Sequence, residues 1–163
     1  MKLHEVWLSY VVLATVLGDQ LTKQAIIRRI RLGGSIATPL HVLTLEHHHN
    51  PVAVYGSLAY MDNAYRVPLL VLIPVLVLLA LVWTARQIDE SEGTLLLALG
   101  LIGGGAVGNL VDRVLRGYVV DFMRFGWGTS HSAVYNLADL FIFAGFALLC
   151  IRVFTVSRPL RVA

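Results

Sequence analysis

Charged side chains are scarce in this chain. Of its 163 residues, 14% are charged and 57% are hydrophobic, at a mean hydropathy of +0.73. Because a typical soluble domain is about 25% charged, this composition excludes an ordinary water-exposed surface and fits one that faces lipid. The formal net charge is only +3, and basic residues do not cluster beyond Lys23, Arg28, Arg29 and Arg31. That balance argues against nucleic acid as a partner and favours the headgroups of membrane phospholipid.

Cysteine is nearly absent as well. Cys150 is the only one, which excludes an intrachain disulfide and a cysteine-based zinc site. The run of histidines at positions 47–49 resembles a metal site, but successive residues of a strand point to opposite faces, so only His47 and His49 could converge. We interpret this run as a solvated surface patch. We expect no metal and no other cofactor.

Long apolar runs are abundant. A helix needs roughly 20 apolar residues to cross the hydrocarbon core of a bilayer, and four segments approach that length. We predict an all-α membrane protein, a single integral membrane domain over residues 1–163. Its four transmembrane helices are expected at 6–27, 67–85, 94–115 and 134–154. The first is interpreted as a retained anchor rather than a cleaved signal peptide.

Two segments between these spans are predicted to lie at the same membrane face. The first, 31–66, has β character at His41–Leu45 and Val52–Tyr55, with a turn at Asn50-Pro51. It predicts a small β-rich surface subdomain. The second, 116–133, is interpreted as a surface loop.

A stripe of small residues marks the third predicted span. Gly100, Gly104 and Gly108 recur every four residues, and glycines at this spacing let a second helix approach closely. Helix packing is the interpretation that we favour for this stripe.

Two aspartates lie near the ends of predicted spans. Charged groups inside a membrane cost roughly 2.5–3.5 kcal/mol each and usually face a cavity or a partner. The third and fourth spans are antiparallel neighbours, so Asp121 and Asp139 can meet at one membrane face, with Asn136 three residues before Asp139. Two close carboxylates tend to share a proton, and can then act as general base and general acid in peptide hydrolysis. An ion or proton pathway, or a buried structural pair, would also fit these residues.

Other polar residues are spaced to reach the same face. Asn109, Asp112 and Arg113 fall at i, i+3 and i+4 near the end of the third span, where Asn109 and Arg113 could donate to a peptide carbonyl or an aspartate. Asp19 and Lys23 form an i, i+4 pair with the acid first, the favourable order. We interpret that pair as a stabilising ion pair at the membrane boundary in preference to a catalytic one.

The order and spacing of these motifs resemble the lipoprotein signal peptidases, also called signal peptidase II. The resemblance covers nearly the whole chain and is carried by four stretches: Asp19–Lys23, Gly104–Arg113, Gly117–Phe122 and Tyr135–Asp139. It implies that Asp121 and Asp139 are a catalytic dyad, with Asn109, Arg113 and Asn136 lining the site. It also implies cleavage before the diacylglyceryl-modified cysteine of bacterial prolipoproteins.

The resemblance further implies a multi-pass protein of the bacterial cytoplasmic (inner) membrane, with cytoplasmic termini and a site near the outer face. The distribution of basic residues alone predicts the opposite orientation. Five lysines and arginines lie on the side of the termini and eight on the other, and the positive-inside rule would place the termini outside. We follow the orientation of the family. A site contained within four helices requires only a monomer.

One stretch departs from the family pattern. The family's first surface loop usually reads Asn-x-Gly-x-Ala-Phe-Gly, and this chain reads Asn50-Pro51-Val52-Ala53-Val54-Tyr55-Gly56. Valine at position 52 cannot readily adopt the positive φ open to glycine, so we expect a different loop backbone and an altered substrate range. A non-catalytic relative that binds lipidated signal peptides, and a small ion or proton translocator, are the alternatives to the peptidase.

Overall fold

Four helices and one four-stranded sheet account for most of residues 3–52, 60–127 and 129–155, the parts of the chain described by this computed structural model. The helices are α1 (Leu3–Arg29), α2 (Asn63–Ala85), α3 (Gly93–Arg116) and α4 (Leu137–Thr155). The strands are β1 (Ser35–Ala37), β2 (Leu43–Asn50), β3 (Val119–Trp127) and β4 (Ser130–Tyr135). The mostly helical architecture predicted from the sequence is confirmed.

Three of these helices are long and apolar enough to cross a membrane. They are α2 from Ala64, α3 and α4, with mean hydropathies of 2.7, 1.8 and 2.2 over their most apolar windows. The window in α2 has no buried residue, so its apolar side chains face outward, as lipid-facing residues do. The chain is therefore a multi-pass membrane protein. The remaining helix, α1, is 27 residues long but carries Asp19 and Lys23 within the span predicted for it.

The central helix is α3, which packs against α1, α2 and α4. Its glycine stripe faces α1: a Cβ on Gly104 would lie 2.6 Å from Cβ of Thr15, and a Cβ on Gly108 would lie 2.6 Å from Oδ2 of Asp19. The stripe therefore packs against a helix, as predicted. Because Gly108 has no side chain, the carboxylate of Asp19 can pack directly against the backbone of α3.

The strands form one antiparallel sheet in the order β1-β2-β3-β4. Residues 116–133 are therefore not a surface loop, because most of them belong to β3 and β4. The first five residues of β3, Val119–Met123, are all buried, so the strand lacks the alternating polarity that marks a half-exposed strand. The β-rich subdomain is likewise not confined to the first loop, since it takes two of its four strands from the second.

Several predicted boundaries also shift. Strand β2 begins at Leu43 rather than at His41 and continues to Asn50, because it pairs with β3 along that length. Helix α4 begins at Leu137 rather than at position 134, because Val134 pairs with β3 inside the sheet. Of the strand predicted at Val52–Tyr55, residues 53–55 lie outside the described part of the chain, and Val52 is a bend.

The sheet sits on the end of the helix bundle where α1 and α3 finish and α4 begins. Gly117, with φ of 79°, ends α3 in the left-handed conformation that glycine adopts without strain, and β3 follows at once. Phe122 and Met123 of β3 form a buried cluster with Ile26 of α1 and with Ile30, which follows that helix, and Leu137 and Leu140 of α4 pack against this cluster. This packing brings Asp121 on β3 close to the first turn of α4.

Candidate active site

A cavity of about 530 Å³ opens between the sheet and the ends of α3 and α4. Six of the nine polar residues singled out in the sequence line it: Asn50, Asn109, Arg113, Asp121, Asn136 and Asp139. The other three, Asp19, Lys23 and Asp112, lie behind its wall and are fully buried. His48, Arg124 and Tyr135 also line the cavity. Sequence reasoning missed Arg124 and Tyr135 as cavity residues because strands β3 and β4 were not predicted, and it assigned His48 on β2 to a surface patch.

Asp121 lies on β3 with its carboxylate almost fully buried. Asn136 donates a hydrogen bond to Oδ1 at 2.7 Å, and Asn50 donates one to Oδ2 at 2.9 Å. Burial raises the pKa of Asp121 to about 6, and the nearby charge of Asp139 adds to the rise, whereas the two amide hydrogen bonds oppose it. This carboxyl group can therefore hold a proton close to neutral pH.

Asp139 lies in the first turn of α4 and is only partly buried. Asn136 caps this helix: its Oδ1 accepts from the backbone N–H of Asp139 at 3.0 Å, and Oδ2 of Asp139 accepts from the backbone N–H of Asn136 at 3.1 Å. This reciprocal pairing is a capping box. It holds the carboxylate at the start of the helix, where the cavity opens.

One asparagine therefore joins the two aspartates. The side-chain NH₂ of Asn136 donates to Asp121 and its side-chain oxygen accepts from the backbone of Asp139. The sequence placed Asn136 and Asp139 on one face of a helix, whereas Asn136 is the residue that caps it. The Asn-x-x-Asp spacing was the signal available for this capping box.

Asn109 and Arg113 bring the end of α3 into the site. Asn109 donates to Oδ1 of Asp139 at 2.9 Å. The guanidinium of Arg113 donates to the backbone oxygen of Asn109 at 3.3 Å, its one hydrogen bond among the described residues. Since Arg113 also lines the cavity, its other N–H groups can bind a ligand there.

A buried ionic cluster lies directly behind the cavity. Nζ of Lys23 lies 2.8 Å from Asp19 and 3.0 Å from Asp112, and all three side chains are inaccessible to solvent. The i, i+4 ion pair predicted from the sequence is present, and it lies inside the protein. Gln20 and Arg116 complete the cluster by contacting Asp112, and neither was singled out from the sequence.

The histidine run is only partly a surface patch. His48 is exposed, but His47 is buried and its Nδ1 lies 2.8 Å from the backbone oxygen of Ile30. The rings of His47 and His49 do converge, with centroids 5.1 Å apart. Among the described residues, no three or more His, Cys, Asp or Glu side chains are grouped so that they could hold a metal ion.

The unusual first-loop segment is described only at its start. Asn50 keeps its contact with Asp121, and its side-chain oxygen accepts from the backbone N–H of Val52 at 3.2 Å. Positions 53–56, which include the replacements Val54 and Tyr55, lie outside the described residues. The expected change of loop backbone and of substrate range stays a prediction.

The family model described as signal peptidase (SPase) II matches residues 11–155. The chain belongs to this family. A lipoprotein signal peptidase from Geobacillus kaustophilus is 37% identical over 150 residues, which are 92% of this chain and 94% of the relative. One from Brucella ovis is 36% identical over 166 residues, 100% of this chain and 99% of the relative.

Solved structures of bacterial membrane enzymes have a similar fold. A bacterial membrane enzyme, 26% identical in sequence, superposes with a TM-score of 0.78 and covers 94% of this chain and 93% of its own. A second structure described as a bacterial membrane enzyme gives a TM-score of 0.76 at the same identity. Membership of the signal peptidase II family makes the chain a peptidase, and the cavity holds the candidate residues for its chemistry.

Proposed function

We propose that this protein removes signal peptides from bacterial prolipoproteins by cutting before their diacylglyceryl-modified cysteine, with Asp121 and Asp139 as an aspartic dyad. The substrate class follows from family membership and from relatives that carry the name lipoprotein signal peptidase. The aspartic mechanism rests on one observation. Both carboxylates reach a single cavity and are joined through Asn136.

The proposed reaction needs one proton on the pair. Asp121, whose pKa is raised to about 6, carries that proton, and Asp139 acts as the base. Asp139 takes a proton from water as the water oxygen bonds to the scissile carbonyl carbon. Asp121 then gives its proton to the leaving nitrogen as the C–N bond breaks, and exchange with solvent restores the starting protonation. Arg113 donates to a carbonyl of the bound peptide.

We also propose that α1 is a fourth transmembrane helix. The two charges within its span do not oppose this assignment, because Asp19 and Lys23 are buried and paired inside the protein and do not face lipid. The site then lies near the outer face of the cytoplasmic membrane, with both termini in the cytoplasm. In this placement the acyl chains of the substrate's diacylglyceryl group stay in the surrounding phospholipid while the peptide reaches the site. The residues assigned to the reaction all belong to one chain, so the proposed site requires only a monomer.

The geometry favours neither alternative function. A translocator needs acidic groups spread across the bilayer, whereas the three buried aspartates, Asp19, Asp112 and Asp121, gather with the partly buried Asp139 at one end of the bundle. A non-catalytic binder would not need two carboxylates on one cavity. We therefore retain the peptidase as the proposed function.

The direct test offers the purified protein two forms of one precursor, with and without the diacylglyceryl group, in detergent or lipid. We expect cleavage of the modified form alone, and mass spectrometry should show a new N-terminus at the modified cysteine. No cleavage across a panel of modified precursors, with binding retained, would support the non-catalytic relative instead.

A further inference from the structure

Lys23 is a buried cation that does not line the cavity. Its side chain is fully inaccessible, although lysine is among the residues least often buried. An ammonium group has three N–H donors, and Nζ of Lys23 has three acceptors: Asp19 at 2.8 Å, Asp112 at 3.0 Å and Oδ1 of Asn109 at 3.0 Å. Every donor of this cation is therefore used.

Each carboxylate of the cluster also holds a backbone group next to one member of the dyad. Oδ1 of Asp19 accepts from the backbone N–H of Ala138 at 3.0 Å, the residue before Asp139. Oδ2 of Asp112 accepts from the backbone N–H of Val120 at 3.0 Å, the residue before Asp121. The two bonds fix the backbone immediately before each aspartate, and Lys23 ties them together.

The third contact of Lys23 sets the orientation of Asn109. A cation can face only the oxygen of an amide, so Oδ1 of Asn109 points toward Lys23 and its NH₂ group must point away. That NH₂ group donates to Asp139, and the same Oδ1 accepts from Asn136, which donates to Asp121. The orientation of both amides therefore depends on the ammonium.

From these contacts we propose that Lys23 is the residue that positions the dyad, acting through Asp19 and Asp112 on the backbone and through Asn109 on the side chains. The inference rests on the proposed function, because it assigns a role within that site. Lys23 touches neither the cavity nor either dyad aspartate, so it is a positioning residue and not a catalytic one.

A matched buried cation lies at the opposite end of the bundle. Arg152 of α4 is 8% exposed and donates two hydrogen bonds to Glu92, at 2.9 and 2.7 Å. Removing either cation takes an ion pair away from a carboxylate in the protein and lowers stability. Only the loss of Lys23 should alter the dyad, because Arg152 has no contact with the cavity.

The test compares Lys23→Met, Arg152→Met and the charge-balanced pair Asp19→Asn with Lys23→Met. Two readouts are needed: hydrogen exchange of the Val120 and Ala138 amides, and kcat with KM on a diacylglyceryl-prolipoprotein. For Lys23→Met we expect faster exchange at both amides. We also expect kcat to fall about 100-fold, the cost of an ångström-scale misplacement, with KM close to wild type. Arg152→Met should leave both amides and kcat near wild type.

The charge-balanced double variant separates positioning from charge compensation. We expect it to regain stability but not kcat, because no cation then orients Asn109. Full kcat in that variant, or unchanged exchange at both amides in Lys23→Met, overturns the proposal. If Lys23→Met does not fold, amide exchange and the kinetic constants are measured on the double variant instead. Hydrogen exchange needs no substrate, so it tests the role of Lys23 even if the wild-type protein cleaves no precursor. Absence of cleavage by wild type would instead contradict the proposed function.

Discussion

At the scale of single residues, asparagine side chains hold the two aspartates of the cavity. Asn50 and Asn136 donate to Asp121, and Asn109 donates to Asp139. Amides donate hydrogen bonds without adding charge, whereas a cation in direct contact would stabilise the ionised form of both carboxylates. The two aspartates can therefore hold one proton between them.

The first prediction concerns that proton. Because the pKa of Asp121 is raised to about 6 and its protonated form serves as the acid, kcat/KM should fall as pH rises above this value. Asn50→Ala removes a donor that favours the carboxylate, so the pKa of Asp121 should rise and the falling limb should move to higher pH. The measurement is a pH profile of kcat/KM for both proteins. A limb that stays in place or moves to lower pH contradicts this role.

Sequence spacing predicted part of this site. The i, i+4 ion pair of Asp19 and Lys23 and the convergence of Asp121 with Asp139 follow from helix periodicity and from the antiparallel order of the spans. The bond from Lys23 to Asn109 joins residues 86 positions apart, on α1 and α3. Periodicity within one helix cannot reveal a contact between two helices. The role of Lys23 therefore became visible only in the fold.

At the scale of elements, the dyad depends on where a strand and a helix meet. Strand β3 carries Asp121 and α4 begins with Asp139 in its first turn. The sequence predicted the helices because long apolar runs are specific to them. It did not predict β3, because a strand buried on both faces loses its alternation, and short apolar runs are ambiguous between strand and helix.

A glycine sets the approach of α4 to α3. A Cβ on Gly105 would lie 2.5 Å from the backbone oxygen of Ala138, next to Asp139, and 2.7 Å from a side-chain carbon of Ile142. Gly105→Ala should therefore push the two helices apart and destabilise the protein by about 1–3 kcal/mol, the usual cost of overpacking. We also expect loss of most activity, since the backbone before Asp139 must move.

Gly93→Ala is the matched control for that substitution. Nothing lies within 4 Å of a Cβ at Gly93, at the start of the same helix, and alanine favours helix by up to about 1 kcal/mol over glycine. Thermal unfolding in detergent should show a lower Tm for Gly105→Ala and an unchanged or higher Tm for Gly93→Ala. Equal Tm values for the two variants would contradict the close packing of α3 and α4.

At the scale of the whole molecule, ion pairs lie at both ends of the bundle, with Arg152 and Glu92 at the end away from the sheet. Lys23 and Arg116 pair with aspartates, and Arg124 pairs with Glu46 at 2.6 Å. Three of the eight basic residues that the positive-inside rule counted on the sheet side therefore form ion pairs within the chain. This pairing removes much of the argument for placing the termini outside.

The proposed topology predicts which ends of the bundle can be labelled. In a background with Cys150→Ser, a cysteine at Ser130, in the sheet, should react with an impermeant maleimide in intact spheroplasts. A cysteine at Ser91, exposed in the turn between α2 and α3, should react only after the membrane is opened. The reverse pattern contradicts the cytoplasmic termini. Labelling of both sites in intact cells contradicts the crossing of the membrane by α3.

The most direct test of the aspartic dyad compares cleavage of a diacylglyceryl-prolipoprotein by wild type, Asp121→Asn, Asp139→Asn and Asp62→Asn, each with and without EDTA. Asparagine keeps the shape of aspartate but cannot exchange a proton, and at Asp62, the exposed cap of α2, it remains a good cap. We predict that both dyad variants bind substrate without cutting it, whereas Asp62→Asn cuts like wild type and EDTA has no effect. Near-normal cleavage by either dyad variant would contradict the mechanism.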